Sequence, residues 1–194
     1  MSDGESTSNA AKRPRYLVLA LAALTLVGML VFLDGFQIIN ASTDPDFAAR
    51  ESAKLDPVLA SVLQAQFESI GELHRVMTPM GIALVLLGGV LSVVAMRGIF
   101  GRASAGTIVQ LALGTGVALS VNFVLAAPVR SAAITAVGSI ANPEAREIAR
   151  FLPAIFAMRF ALPLLTLLLA VFGVTRRAAR EALRPASDQV GEEQ

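Results

Sequence analysis

Residues 16–39 read YLVLALAALTLVGMLVFLDGFQII, and they carry no charge before Asp34. An α-helix rises about 1.5 Å per residue and the hydrocarbon core of a bilayer is about 30 Å thick, so about 20 such residues cross it. Three further runs of the same character, at 80–96, 108–127 and 151–174, are likewise bracketed by charge. Four such runs in 194 residues, 55% of them apolar, are more than a water-soluble core of this size can hide. The expected fold is all-α: a polytopic membrane protein built as a four-helix transmembrane bundle with a small extracytoplasmic helical cap.

The basic residues set the orientation. Lys12, Arg13 and Arg15 precede the first run, Arg97 and Arg102 fill the turn between the second and third, and Arg176, Arg177, Arg180 and Arg184 follow the fourth. On the other side Arg50, Lys54, Arg75, Arg130, Arg146 and Arg150 are diluted by eight carboxylates between Asp44 and Glu147. The positive-inside rule, counted on Lys and Arg, then puts both termini in the cytoplasm. The excess of arginine over lysine, together with abundant alanine, points to a bacterial source and so to the cytoplasmic (inner) membrane. A cleaved signal peptide is the rival reading of the first run, which at about 18 residues before Asp34 is longer than the usual h-region of about 7–15.

Outward from the spans, residues 1–12 and 185–194 read as flexible cytoplasmic tails, too polar to bury surface of their own. The membrane domain then covers 13–184. Within it, residues 56–77 read as an outer amphipathic helix opened by Asp56 and Pro57, a cap followed by a first-position proline. Leu59, Leu63, Phe67 and Ile70 recur at three- and four-residue spacing and form its apolar face, offered either to the bundle or to a partner. Residues 128–150 read as an outer helical hairpin, its second helix started by Asn142, Pro143 and Glu144. Close helix packing is expected on the third span, where Ala112, Gly116 and Ser120 repeat every fourth residue beside Gly114 and Ala118; Gly88 and Ser92 are a shorter version on the second.

Few polar groups interrupt the spans. Asp34, Asn122 and Arg159 fall toward the outer ends of the first, third and fourth runs, and form an expected intramembrane polar cluster. An arginine at that depth costs at least about 2.5 kcal/mol unless paired or hydrated, so Arg159 is expected to face the bundle and pair with Asp34. Pro163 lacks the amide that would bond the Arg159 carbonyl, which places an expected kink beside the charge.

Enzymatic chemistry has little to work with. The absence of cysteine excludes thiolate nucleophiles and metal sites, and the single histidine excludes a bis-histidine haem. His74, Met77 and Met80 have a spacing that would suit Cu(I), but Pro79 is expected to interrupt their helix; no metal or other cofactor is expected. No phosphate loop, nucleophile elbow or basic aromatic face for nucleic acid is present. For a membrane-embedded enzyme only Asp34, Glu72 and His74 remain, scattered along the chain. The functional expectation is a non-enzymatic interaction or accessory subunit that works through its outer helices. The alternative is a small oligomeric transporter or channel around Asp34, Asn122 and Arg159. Expected partners are the lipid bilayer and either a second copy or another membrane protein.

Overall fold

The computed structural model describes residues 14–140 and 143–183, the side chains of 143 and 144 excepted. The two terminal tails, together with Lys12, Arg13, Asn142 and Arg184, lie outside the described residues. Within them the chain is helical and holds eight helices: α1 Arg15–Thr43, α2 Phe47–Ser52, α3 Pro57–Glu72, α4 His74–Ile99, α5 Ala105–Leu125, α6 Ala127–Gly138, α7 Pro143–Thr175 and α8 Arg177–Ala182. Four of them, α1, α4, α5 and α7, are long and apolar enough to cross a membrane. Their outward faces carry Leu19, Leu26, Leu86, Val93, Val117, Leu168 and Phe172 exposed, as an apolar solvent allows.

The close pairing in the bundle is α1 against α4. Buried positions on α1 run Leu17, Leu21, Leu24, Gly28, Val31, Gly35 and Ile38, and on α4 Met77, Gly81, Leu84, Gly88, Leu91, Ala95 and Gly98. Both series step alternately by four and three residues, the spacing that keeps one seam facing a partner helix in a left-handed coiled coil. Glycines carry the approach: a Cβ on Gly35 would lie 2.6 Å from the Gly81 carbonyl oxygen, and one on Gly28 would lie 2.7 Å from that of Gly88. Ser92 donates to the Thr25 carbonyl at 3.2 Å and Thr78 to the Ser42 hydroxyl at 2.8 Å, pinning the register at two levels.

The third span is therefore not where the helices come closest. A Cβ on Gly116 would meet only Leu164 and Leu167 side-chain atoms at 3.5 and 3.8 Å, ordinary contact, and one on Gly114 only Leu87 at 3.9 Å. Bulky leucines opposite these small residues hold the backbones apart, whereas the close packing expected at Gly88 and Ser92 on the second span is present in the α1–α4 seam. The fourth span is the peripheral one: only 11% of its apolar stretch is buried, against 28–33% in the others.

The cap is built from α3, α6 and the first turns of α7, around Val62, Ala133, Val137, Ala145 and Leu152. Asp56 caps α3 through the Val58 amide at 3.0 Å, with Pro57 at its start. Two boundaries differ from expectation. The helix foreseen over 56–77 ends at Glu72, and α4 begins at His74 after a bend at Leu73 (φ −94°, ψ 18°). Pro79 does not interrupt α4; it sits on an exposed face of the second turn, so the carbonyl it leaves free belongs to exposed Arg75 near the helix start. The 128–150 hairpin is α6, separated from α5 by a break at Ala126, plus the start of α7.

The apolar face of α3 also needs correcting. Phe67 and Ile70 are buried and Leu63 is partly buried against the core, but Leu59 is 51% exposed. Steps of four residues drift by about 40° each around a helix, so Leu59 has turned well away from Phe67. Val62 enters the cap core in its place.

Candidate functional site

A cavity of about 160 Å³ lies where the cap meets the spans. α1 contributes Asp34, Gln37 and Ile38; α3 contributes Gln66, Phe67 and Ile70; α5 contributes Leu119, Asn122 and Phe123. Val129 and Arg130 come from α6, beyond Ala126, and Phe156, Arg159 and Phe160 come from α7. Five helices thus converge on one mixed polar and apolar chamber.

Arg159 donates through one guanidinium nitrogen to Asp34 Oδ1, linking α7 to α1. The two side chains are paired, but Arg159 does not turn into the bundle as expected: its side chain is 60% exposed and that of Asp34 is 36% exposed. The reason is position. α7 is peripheral, and Arg159 lies about 24 Å of helix away from Thr175 at its other end, toward the cap. A guanidinium there reaches polar surroundings by leaning outward.

Asn122 lines the same chamber, but it bonds neither Asp34 nor Arg159. Its Oδ1 is buried without a donor. What Asn122 can offer the chamber is therefore its amide N–H groups. Pro163 is not among the lining residues, and α7 runs unbroken through both Pro153 and Pro163. Of the expected apolar face, Phe67 and Ile70 line the chamber while Leu59 and Leu63 do not. His74 is exposed, with a ring nitrogen 3.2 Å from the Gly71 carbonyl, and Met77 of the same helix face is buried in the α1–α4 seam.

Arg130, in the sequence one of the cap-side charges, stands in the chamber wall. Its guanidinium donates to the Phe123 carbonyl, one of those left over where α5 ends, and lies 3.9 Å above the Phe123 ring. Phe123 in turn stacks on Phe160 at 4.3 Å between centroids. No carboxylate pairs with Arg130 among the described residues. Burial pushes its pKa below the ordinary arginine value. Gln37, three residues after Asp34 and so on the same helix face, also lines the chamber.

Among the described residues no group of three His, Asp or Glu side chains stands close enough to hold a metal ion. No family model, curated protein or solved structure matches the chain.

Proposed function

We propose that this chain is a non-enzymatic accessory protein of a bacterial cytoplasmic membrane that works from its cap end. In this reading both termini are cytoplasmic, and the cap and its chamber face outward. The observation that carries it is the distribution of polar groups. Asp34, Gln37, Asn122, Arg130 and Arg159 all gather at the cap end, while the opposite half of the bundle interior is filled by Leu17, Leu21, Leu24, Leu91, Ala95 and Ile108. A polar site at one end, backed by a packed apolar interior, suits binding or docking there better than permeation through a single copy. The exposed Leu55 and Leu59 on the cap add apolar contact area for a partner subunit.

A photo-crosslinking residue at Leu59 should trap one defined membrane protein in the native membrane; diffuse or absent adducts would count against the accessory role. Orientation is checked separately. The chain has no native cysteine, so single cysteines at Lys54 and Ser139 should label from outside and one at Arg102 only after permeabilisation.

The second reading, a small oligomeric transporter or channel, draws on the exposure of Arg159, which in a ring of copies would face a neighbour rather than lipid. Solute or ion flux into vesicles containing only this protein, abolished by Arg159→Leu, would favour it.

A further inference from the structure

We infer that the cap-side chamber binds a phosphate oxyanion carried on an amphiphile, the headgroup of an anionic glycerophospholipid, with Arg130 as its anchoring cation. The inference rests on the reading of this chamber as the protein's working surface.

Charge comes first. The wall holds two guanidinium groups and one carboxylate, and the carboxylate is already committed to Arg159, so the chamber carries one positive charge in excess. Donors outnumber acceptors in the same way. Each guanidinium has five N–H donors, and the acceptors they meet are Asp34 Oδ1 and the Phe123 carbonyl. Asn122 keeps its own acceptor sealed away and has only N–H groups to offer. A site with surplus donors and surplus positive charge selects a ligand made of acceptor oxygens with negative charge. Arg130 is suited to that ligand because it is partly desolvated and its planar fork fits two oxygens of one phosphate at once.

Depth selects the source. α5 has 21 residues and is therefore about 31 Å long, close to the hydrocarbon thickness. With α5 spanning that layer, the Arg130 guanidinium, bonded to the Phe123 carbonyl in the last turn of α5, falls at its cap-side edge, next to the lipid phosphates. The stacked Phe123 and Phe160 supply an apolar wall suited to the glycerol esters below such a phosphate. The chamber volume of about 160 Å³ far exceeds the roughly 15 Å³ that one water needs. A choline headgroup would add a cation beside two arginines, so phosphatidylglycerol should be preferred over phosphatidylcholine.

The test uses the full chain purified in a neutral glucoside detergent, with bound lipid counted by native mass spectrometry. Dioctanoyl-phosphatidylglycerol should add to the wild type with a stoichiometry of one and resist exchange by dioctanoyl-phosphatidylcholine. Arg130→Gln should weaken it by about tenfold, and Arg150→Gln, a cap-side cation outside the chamber, should leave it unchanged. Ala126→Leu keeps Arg130 and its contact with the Phe123 carbonyl but fills the chamber, and should also lose the lipid; it serves if Arg130→Gln does not fold. If inorganic phosphate at millimolar concentration displaces the lipid, the site is an oxyanion site that solution can also fill; if it does not, the leaflet is its source. Equal retention of both lipids, or retention undiminished in Arg130→Gln and Ala126→Leu, would overturn the inference. The measurement needs neither a partner nor a defined orientation, so its failure is distinguishable from a failed crosslink at Leu59.

Discussion

Gly28 and Gly88 face each other across α1 and α4 so closely that a Cβ on either would fall 2.6–2.7 Å from the other's carbonyl oxygen. With Gly35 and Gly81 one heptad along, they let two backbones meet where lipid offers no hydrophobic drive for association. A methyl group at Gly88 has only backbone atoms to displace, the Gly28 oxygen and the Phe32 nitrogen, both at 2.6 Å. Gly88→Ala should therefore destabilise the protein by about 1–3 kcal/mol. Gly138→Ala, where nothing lies within 4 Å, should be neutral or stabilising by up to about 1 kcal/mol. Thermal unfolding in detergent compares the two, and equal tolerance would remove the seam as the organising contact of the bundle.

Breaking the Asp34–Arg159 pair one side at a time should cost more than removing it whole. Asp34→Ala leaves a guanidinium without its carboxylate near the hydrocarbon boundary, whereas Asp34→Ala with Arg159→Leu leaves an apolar surface that lipid accepts. Because the pair is half-exposed, the coupling in a double-mutant cycle should be near the low end, about 0.5–1 kcal/mol. Additive single effects would show that the two side chains act independently.

Asn122→Leu should raise stability rather than lower it. The substitution removes a buried acceptor that has no donor, a penalty of about 1–3 kcal/mol, while nearly conserving volume. The same change should weaken phosphatidylglycerol retention, since it removes the amide N–H groups from the chamber. A drop in unfolding temperature would mean that Asn122 is satisfied within the bundle.

Acid should loosen the turn after α1. The Asp44 carboxyl is held below its ordinary pKa mainly by its hydrogen bond from Arg50, with the Asp46 amide adding to it at 3.0 Å. A folded-state pKa below the unfolded one gives stability that is full above the unfolded value of about 3.9 and is lost as pH falls through the lowered folded value. Amide protection over 45–53, taken relative to the intrinsic exchange rate at each pH, should fall from pH 6 to pH 3 in the wild type. Asp44→Asn should be weakly protected at both, and an acid response of the same size in that variant would assign the effect to other carboxylates.

Four spans could be read directly from the residues, because a bilayer demands long apolar runs and few other solvents tolerate them. The start of α3 was equally legible, since Asp56 and Pro57 act within a single turn and need no distant partner. Counting along each run also brought Asp34, Asn122 and Arg159 to one level, and all three line the same chamber. Contacts between helices were legible only in part: Gly88 with Ser92 marked a close approach and Asp34 a partner for Arg159, but not which helix those small residues would meet. The seven-residue glycine spacing on α1 and α4 acquires meaning only when the two helices run antiparallel in register, Gly28 opposite Gly88 and Gly35 opposite Gly81. Leu59 turned outward because the cap packs α3 through Val62, and Arg159 reached the rim because α7 sits at the edge of the bundle. Arg130 entered the chamber because α5 stops at Leu125 and α6, starting after the break at Ala126, packs on α3 and α7. Length and hydropathy are properties of one segment and suffice to choose the solvent; which side chains share a chamber depends on how rigid helices rotate against one another, and that is settled only when they pack.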